Sequence, residues 1–476
     1  MKEFLKNRLL NYLPSRLALQ IERPVKKRAE FVDWLSAELP DAANGFILAQ
    51  GLIAEPFIRG MGRLFATSRF ELFLKKWVTE YLFKLFDAFE SCSGKTGDAR
   101  PLSLEDAPLH RFALERYSKR FAPPPEIRWQ AQPALPWRIL GGLSQLVVIA
   151  WLSLRNGVRL SGERRPYAVL REAIWGLQGR GYHFHDDFLV DGEKVKPEDL
   201  LLFSRDCEGK DSARMSARED AKRSAYAHFD LPSLPMGAKP LFTRILPVYL
   251  GGAVPLLLRS VRSPDFSLFS SIFSSFAANA VPYEAVFSRF QIRSELGHNY
   301  FTAGHIAESI VCENHGAGYF LMHWSDNSVG VDRFLPAFLG CDKYLVWGRA
   351  HLQGFEGGPS TFAPIGYHFK DRIRGIHDDA GEKSRVLAQM GVPEGGKVVV
   401  FLDETFGGDI RMTEDHFLSF WGTILRLAEA RTDVRIIVKP KGTFFHENFS
   451  PGGARRFAAL RQELAKHPHV HVLDPD

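Results

Sequence analysis

The sequence predicts an α/β protein with two Rossmann-like, doubly wound domains, the second of them incomplete, and a helical N-terminal extension. Three observations lead to this fold class. From about residue 137 to 370, short apolar runs typical of strands alternate with amphipathic helical segments, which is the pattern of a parallel sheet. The same alternation begins again after Gly391. Before residue 135, apolar residues instead follow the helical 3.6-residue period.

The length of 476 residues is enough for two or three domains. Residues that interrupt regular structure are frequent from Ser93 to Pro136, and within this breaker zone Pro123, Pro124 and Pro125 predict a linker or an extended segment. Only the 86 residues 391–476 form the second α/β region, whereas a doubly wound domain usually has at least about 100–150. We therefore expect a C-terminally truncated version of a longer protein. The expected domains are a helical N-terminal region at 1–135, a Rossmann-like domain at 136–370, a linker helix at 371–390 and a partial Rossmann-like domain at 391–476.

Periodicity and turn residues predict the individual elements. Residues 305–316 predict a helix that ends at Gly316, where a helix C′ glycine belongs. The near-continuous apolar run 397–404 is typical of a parallel strand that is buried on both faces. A β-rich run opens the segment 284–296. The other predicted helices are 70–91, 371–390, 416–431 and 454–468, and the other strands are 200–204, 319–323, 342–347, 435–440 and 469–473.

The net charge of +6 is uneven, because residues 1–30 hold eight Lys or Arg against three acidic residues. Apolar residues there trace one helical face, which predicts a basic amphipathic helix that lies on a membrane or packs on its own protein. Two apolar runs, 139–154 and 245–258, are shorter than the roughly 20 residues of a spanning helix. We expect no transmembrane span, and the sequence has no nucleic-acid-binding motif.

Several motifs that suggest chemistry have plainer explanations. The four cysteines form no Cys-x-x-Cys pair, which argues against a zinc or redox site and fits a reducing, cytoplasmic location. The run Gly94–Thr96 has Phe89 where a phosphate-binding loop needs glycine, so a polar loop is favoured. His183 and His185 would share a strand face and could hold a metal, but no third ligand stands at a firm spacing. A polar strand end is favoured there, and we expect no metal site.

Two histidines eight residues apart compete for a catalytic role. His315 stands in the last turn of a predicted helix, where attraction to the helix dipole accounts for it. His323 ends the predicted strand 319–323, and ligands of open α/β sheets bind beyond the carboxyl ends of strands. A titratable ring there suits general-base catalysis near neutral pH, while a partly buried histidine held by a loop is the alternative. The residues expected to line the same crevice are Trp324, Ser325, Asp326 and Asn327.

Two loops of the second domain are candidates for binding a donor phosphate. Thr405, Gly407 and Gly408 follow the predicted strand 397–404, and glycine lets backbone N–H groups approach a phosphate. Lys439 and Lys441 stand at the carboxyl end of the next strand, where two cations suit a diphosphate. A solvated polar connection is the alternative for each loop.

In their order along the chain, these segments resemble bacterial glycosyltransferases of the GT-B fold, in particular enzymes of capsule and CDP-glycerol polymer assembly. The resemblance covers about residues 180–476 and rests on the set of segments rather than on one motif. The segments that carry it are GHIAESIVCEN (304–314), GYFLMHWSD (318–326), CDKYLVWG (341–348), APIGYHFKD (363–371), KVVVFLDE (397–404) and RIIVKPKG (435–442).

This resemblance implies an enzyme that moves a sugar or polyol phosphate from a nucleotide-activated donor to a growing surface polysaccharide or lipid-linked acceptor. His323 takes the place of the strand-end histidine that serves such enzymes as a candidate base, with Trp324 where glycine is common. Lys441 stands where the family often has histidine. The family typically needs no catalytic metal, and no cofactor beyond the donor substrate is implied.

The implied partners are the nucleotide-sugar donor and a glycan or lipid-linked acceptor, without nucleic acid. The implied location is the cytoplasm, with peripheral contact at the inner membrane face. Two alternatives stay open: a nucleotide-sugar epimerase of the same fold, and a non-catalytic GT-B-like scaffold in polysaccharide assembly.

Overall fold

In the computed structural model, the protein divides into two compact units, each built on a parallel sheet. Among the described residues, those up to Tyr367 belong to unit 1 and those from Lys370 belong to unit 2. The predicted α/β class is therefore confirmed. The residues that the structure describes are 29–50, 69–93, 101–121, 124–131, 165–172, 195–204, 227–230, 266–297, 302–322, 338–348, 361–367, 370–389, 391–392, 396–403, 414–440 and 449–473.

The sheet of unit 1 has a doubly wound strand order. The strands are β1 (Leu102–Glu105), β2 (Ile127–Gln130), β3 (Pro166–Glu172), β4 (Leu200–Ser204), β5 (Ala227–Asp230), β6 (Gln291–Gly297), β7 (Gly318–Met322), β8 (Lys343–Val346) and β9 (Thr361–Pro364). Seven of them form one parallel sheet in the order β5-β4-β3-β6-β7-β8-β9. The order reverses between β3 and β6, as it does in a Rossmann-like fold, with which this sheet is compatible.

Five described helices accompany this sheet. They are α1 (Ala29–Ala49), α2 (Arg69–Cys92), α3 (Pro108–Arg120), α4 (Phe266–Arg289) and α5 (Gly304–Asn314). α4 and α5 pack on one face of the sheet, for example through Tyr283 and Phe203, whose ring centroids are 5.2 Å apart. α2 in turn contacts α1, α3, α4 and α5. The predicted N-terminal helical residues therefore share one apolar core with the sheet.

The breaker zone Ser93–Pro136 contains regular elements. β1 and β2 pair in parallel, with Leu102 opposite Ile127, and α3 connects them. The prolines do not prevent this, because Pro108 opens α3, a position where the missing N–H costs nothing. Strands of four residues are too short to give a clear periodic pattern.

The β-rich start predicted for 284–296 is also wrong. Those residues continue α4 as far as Arg289, and the strand begins only at Gln291. Ala285, Val286 and Phe287 are all buried, so this end of the helix is apolar on several sides. A helix of that kind lacks the amphipathic period and resembles a buried strand.

The predicted stop of the helix that precedes β7 is confirmed. Gly316 has φ +70°, the left-handed conformation that favours glycine. The N–H of Gly316 donates to the carbonyl of Glu313 at 3.0 Å, and the N–H of Ala317 donates to that of Cys312 at 2.9 Å. These two bonds close the end of α5 and redirect the chain into β7.

Unit 2 has a smaller sheet with its own core. Its elements are α6 (Lys370–Asp378), α7 (Ala380–Gln389), β10 (Lys397–Leu402), α8 (Glu414–Ala430), β11 (Val434–Lys439), α9 (Pro451–Leu464) and β12 (Val470–Val472). The strands pair in parallel in the order β10-β11-β12, and α8 and α9 pack on the face that carries Ile436 and Val438. The single helix predicted over 371–390 is two helices, which meet at Asp379.

The prediction that 397–404 is buried on both faces is wrong. β10 is the first strand of the three in the sheet order, and its Val400 and Leu402 side chains are 55% and 70% exposed. They point away from the face that α8 and α9 cover, because alternate residues of a strand face opposite sides. The apolar run therefore reflects one packed face and one exposed face.

Within the described residues, no helix has both the length and the apolar character that crossing a membrane requires. The two apolar runs at 139–154 and 245–258, and the basic amphipathic segment at 1–28, lie outside those residues.

Replacing Gly316 by alanine should destabilise the protein by about 1 kcal/mol, because a Cβ is strained at a positive φ. No neighbouring atom lies within 4 Å of such a Cβ, so the strain is purely backbone. Gly348→Ala is a matched control, since that site is equally open and does not have a positive φ. Chemical denaturation of both variants tests this, and equal stabilities would contradict it.

Candidate functional site

The carboxyl edge of the seven-stranded sheet is the natural place for a ligand, at the point between β3 and β6 where the order reverses. β6 ends there at Gly297. A Cβ at Gly297 would lie 2.7 Å from the Tyr319 hydroxyl oxygen, so glycine is needed for packing. The Tyr319 hydroxyl instead donates to Glu308 at 3.1 Å.

The structure places the carboxyl end of β7 at this edge, beside β6, and β7 ends at Met322. The candidate base His323 is the next residue in the chain. His323 and the expected crevice residues Trp324, Ser325, Asp326 and Asn327 lie outside the described residues.

The first helix turn beyond β6 is held by a side chain from far away in the sequence. The Glu80 carboxylate in α2 accepts the backbone N–H of Ala303, the residue that precedes α5. In Rossmann-like sheets, helix N-termini of this kind can bind phosphate. Here a carboxylate already satisfies the N–H, so this helix start is not suited to a further anion.

A buried set of ionisable groups surrounds that contact. Lys76 and His305 are each 1% exposed. Burial lowers the pKa of Lys76 and raises the pKa of Glu80, because each charge loses water, while their mutual attraction opposes both shifts. Burial and then the Lys76 charge lower the pKa of His305 to about 3.

The hydrogen bonds of His305 define its tautomer. Its Nε2 accepts the N–H of Gly340 at 3.3 Å, and its Nδ1 lies 2.5 Å from the carbonyl of Thr302. A backbone N–H can only donate and a carbonyl can only accept, so the proton is on Nδ1. His305 is thus a neutral structural residue that ties α5 to the segment before β8.

The other end of α5 has a second charged contact. Arg69, at the start of α2, donates to the carbonyl of Ser309 at 3.3 Å and pairs with the carboxylate of Asp342. Asp342 also accepts the N–H of Tyr319 at 2.7 Å. Asp342 lies in one of the segments that carry the family resemblance, and its role here is to hold the amino ends of β7 and β8.

Two carboxylates are buried between the sheet and α5. The Cys312 thiol donates to Glu295 at 3.2 Å, and Glu295 is 1% exposed. Burial, followed by the charge of Glu295, raises the pKa of Cys312, and burial and then Glu308 raise that of Tyr319. The thiol is therefore protonated and unreactive. In the part of the chain that the structure describes, no group of His, Cys, Asp and Glu could hold a metal ion.

An aromatic corner stands at the same carboxyl edge, beyond β8 and β9. Trp347 follows β8, and Tyr367 follows β9 by three residues. Their ring centroids are 4.7 Å apart at 78°. The N–H of Ile365 donates to the carbonyl of Val346 at 2.8 Å, so the two chain segments leave the sheet side by side.

Of the five residues that the sequence predicts to bind a donor phosphate in unit 2, the structure describes one, Lys439. Lys439 ends β11 at the carboxyl edge, as predicted, and its carbonyl accepts the N–H of Asp403 at 3.3 Å. These two residues therefore occupy neighbouring strand ends. The other predicted residues of this site, Thr405, Gly407, Gly408 and Lys441, lie outside the described part of the chain.

His315, which competes with His323 for the catalytic role in the sequence, has a structural partner. His315 follows the last residue of α5, and its Nε2 lies 2.8 Å from a carboxylate oxygen of Glu284 in α4. The His315 ring also stacks on Phe287 at 5.3 Å. The interpretation of His315 as part of a helix end agrees with these contacts. The weaker candidates at 94–96 and at His183 and His185 lie outside the described residues.

Sequence reasoning missed four residues at these edges: Glu80, Asp403, Trp347 and Tyr367. Asp403 and Trp347 had a usable signal, because they lie at the ends of the predicted strands 397–404 and 342–347. Tyr367 lacked this signal, because the strand before it, β9, was not predicted. Glu80 had none, since its partner lies 223 positions away in the sequence.

His305 should keep a neutral ring, protonated on Nδ1, at about pH 5, where a solvated histidine is largely cationic. Because its folded-state pKa is lowered, its contribution to stability is complete above the ordinary value of 6.5 and is lost as the pH falls towards 3. Ring ¹⁵N chemical shifts test this. A cationic His305 ring in the folded protein at that pH would contradict it.

No protein-family model, curated protein or solved structure matches this chain. The function is therefore inferred from the residues and the geometry of the two carboxyl edges.

Proposed function

We propose that this protein is a glycosyltransferase of GT-B type, which moves a sugar or polyol phosphate from a nucleotide-activated donor to a growing surface polysaccharide or lipid-linked acceptor. The observation that carries the proposal is the division into two separate units, each on a parallel sheet with polar or aromatic residues at its carboxyl edge. A transferase of this kind needs two such edges, one for the acceptor and one for the donor.

In this proposal, unit 2 binds the donor. Lys439 and Asp403 lie at the carboxyl ends of neighbouring strands. The ammonium group of Lys439, together with Lys441 and the backbone around Gly407 and Gly408, would bind the donor phosphates. These groups would stabilise the leaving group, which is a nucleoside diphosphate when a sugar is transferred and a nucleoside monophosphate when a polyol phosphate is transferred. Neutralising the leaving group lowers the barrier to its departure without requiring a metal ion.

Unit 1 binds the acceptor in this proposal. His323 is the next residue in the chain after β7, and β7 is the neighbour of β6 in the sheet. As a neutral imidazole it would remove the proton of the acceptor hydroxyl while that oxygen attacks the donor. The basic segment 1–28 would add attraction to an anionic membrane surface that carries a lipid-linked acceptor.

Lys439→Ala should weaken binding of CDP-glycerol or UDP-glucose about tenfold, because one charge-assisted contact to phosphate is lost. Titration calorimetry on the whole chain measures this. Lys466→Ala is the matched control: Lys466 is also in unit 2, is 66% exposed and pairs with Glu463 at the far end of α9. If both variants bind the nucleotide equally well, Lys439 does not contact the phosphates. If the wild type binds no nucleotide, the scaffold alternative is favoured.

His323→Ala should reduce transfer by roughly 10²- to 10⁴-fold, the usual contribution of a general base, and leave donor binding unchanged. Transfer is measured from labelled donor to a bacterial membrane extract as the acceptor source. His315→Gln is the control, because that histidine packs against Glu284 inside unit 1. Wild-type turnover in His323→Ala would refute the base assignment, and conversion of donor without acceptor would indicate an epimerase.

A further inference from the structure

The aromatic corner of unit 1 consists of Trp347, Ile365 and Tyr367. Val346 pairs with Pro364 across β8 and β9, so Trp347 and Ile365 are the next pair and lie on the same side of the sheet. The contact between the rings of Trp347 and Tyr367 places the tyrosine on that side as well. The three side chains therefore form one surface.

This surface is open to a ligand. Ile365 and Tyr367 are 39% and 38% exposed, and a contiguous exposed apolar surface is more informative than a single exposed side chain. Next to Trp347 in the chain, a Cβ on Gly348 would meet no atom within 4 Å, so the backbone beyond β8 is not crowded. The positive φ of Gly366, +78°, turns the chain between Ile365 and Tyr367.

The chemistry of the corner favours an uncharged ring. Its described residues, 345–348 and 361–367, include no Asp, Glu, Lys, Arg or His. The two rings stand nearly perpendicular, so they present the face of one ring beside the edge of the other. A puckered sugar ring suits this shape, because its C–H groups can rest on the aromatic face while its hydroxyls stay in contact with water.

We propose that Trp347, Ile365 and Tyr367 form a binding site for a neutral sugar ring at the carboxyl edge of unit 1. The site would hold one unit of the glycan acceptor, and in that respect it rests on the proposed function. Its position agrees with the rule that ligands of parallel sheets bind beyond the carboxyl strand ends.

The chain contains a matched control for this site. Phe362 in β9 is 37% exposed, almost the same as Tyr367. It contacts Tyr344, with ring centroids 6.1 Å apart, and strand alternation places it on the opposite side of the sheet from Trp347. A loss of sugar affinity that any deleted aromatic ring would cause should therefore occur in both Tyr367→Ala and Phe362→Ala.

The test uses the whole chain and saturation-transfer NMR with a panel of neutral trisaccharides built from glucose, galactose, mannose and N-acetylhexosamine units. Uncharged nucleosides form a second arm. We expect at least one trisaccharide to bind, Tyr367→Ala to weaken its binding about tenfold, and Tyr367→Phe and Phe362→Ala to bind nearly as the wild type does. Thermal unfolding of each variant verifies that it is folded.

The proposal is overturned if no trisaccharide binds up to about 10 mM, the range of weak ring stacking. It is also overturned if Phe362→Ala loses as much affinity as Tyr367→Ala, or if only nucleosides bind. The two proposals can fail separately. If unit 2 binds nucleotide sugar but the corner binds no sugar, only the sugar site is rejected. If the corner binds sugar but the protein binds no nucleotide, the glycosyltransferase function is rejected.

Discussion

The contact of α2 with α5 is the interaction on which the arrangement of unit 1 depends. Arg69 binds the C-terminal half of α5 and Asp342, while Glu80 binds the N–H at its start. The two residues are eleven positions apart, about 16 Å along a helix, so α2 runs antiparallel to α5 over most of its length. Because α5 connects β6 to β7, these contacts hold both strands beside the reversal point. The charges are costly to bury, and each is compensated by a partner.

A second constraint follows from parallel pairing. All seven strands of the large sheet in unit 1 have their carboxyl ends at one edge, and the same holds for the three-stranded sheet of unit 2. Residues from distant parts of the sequence are thereby collected: Trp347 and Tyr367 at one edge, Asp403 and Lys439 at the other. At the opposite edge of unit 1, Asp342 makes structural contacts at the amino ends of β7 and β8.

The features that could be predicted from sequence are those with local causes. Gly316 ends its helix and β7, β8 and β11 lie where apolar runs predict them, because capping and periodicity involve neighbouring residues. Predictions failed where tertiary context decides. Phe287 lies in a helix that is apolar on several sides, so the amphipathic period is missing. Val400 is exposed because α8 and α9 cover only the other face of the sheet, and its own sequence does not record which face is covered. The bond from Glu80 to Ala303 likewise has no sequence signal.

We propose that unit 2 binds a nucleotide-activated donor at the carboxyl edge of its sheet. Hydrogen–deuterium exchange of the whole chain, with and without CDP or UDP, tests this most directly because it requires no knowledge of the acceptor. With nucleotide bound, we expect slower hydrogen–deuterium exchange in peptides that contain Asp403 and Lys439, and unchanged exchange in the outer helix α9. Unchanged exchange at both strand ends under saturating nucleotide would contradict it.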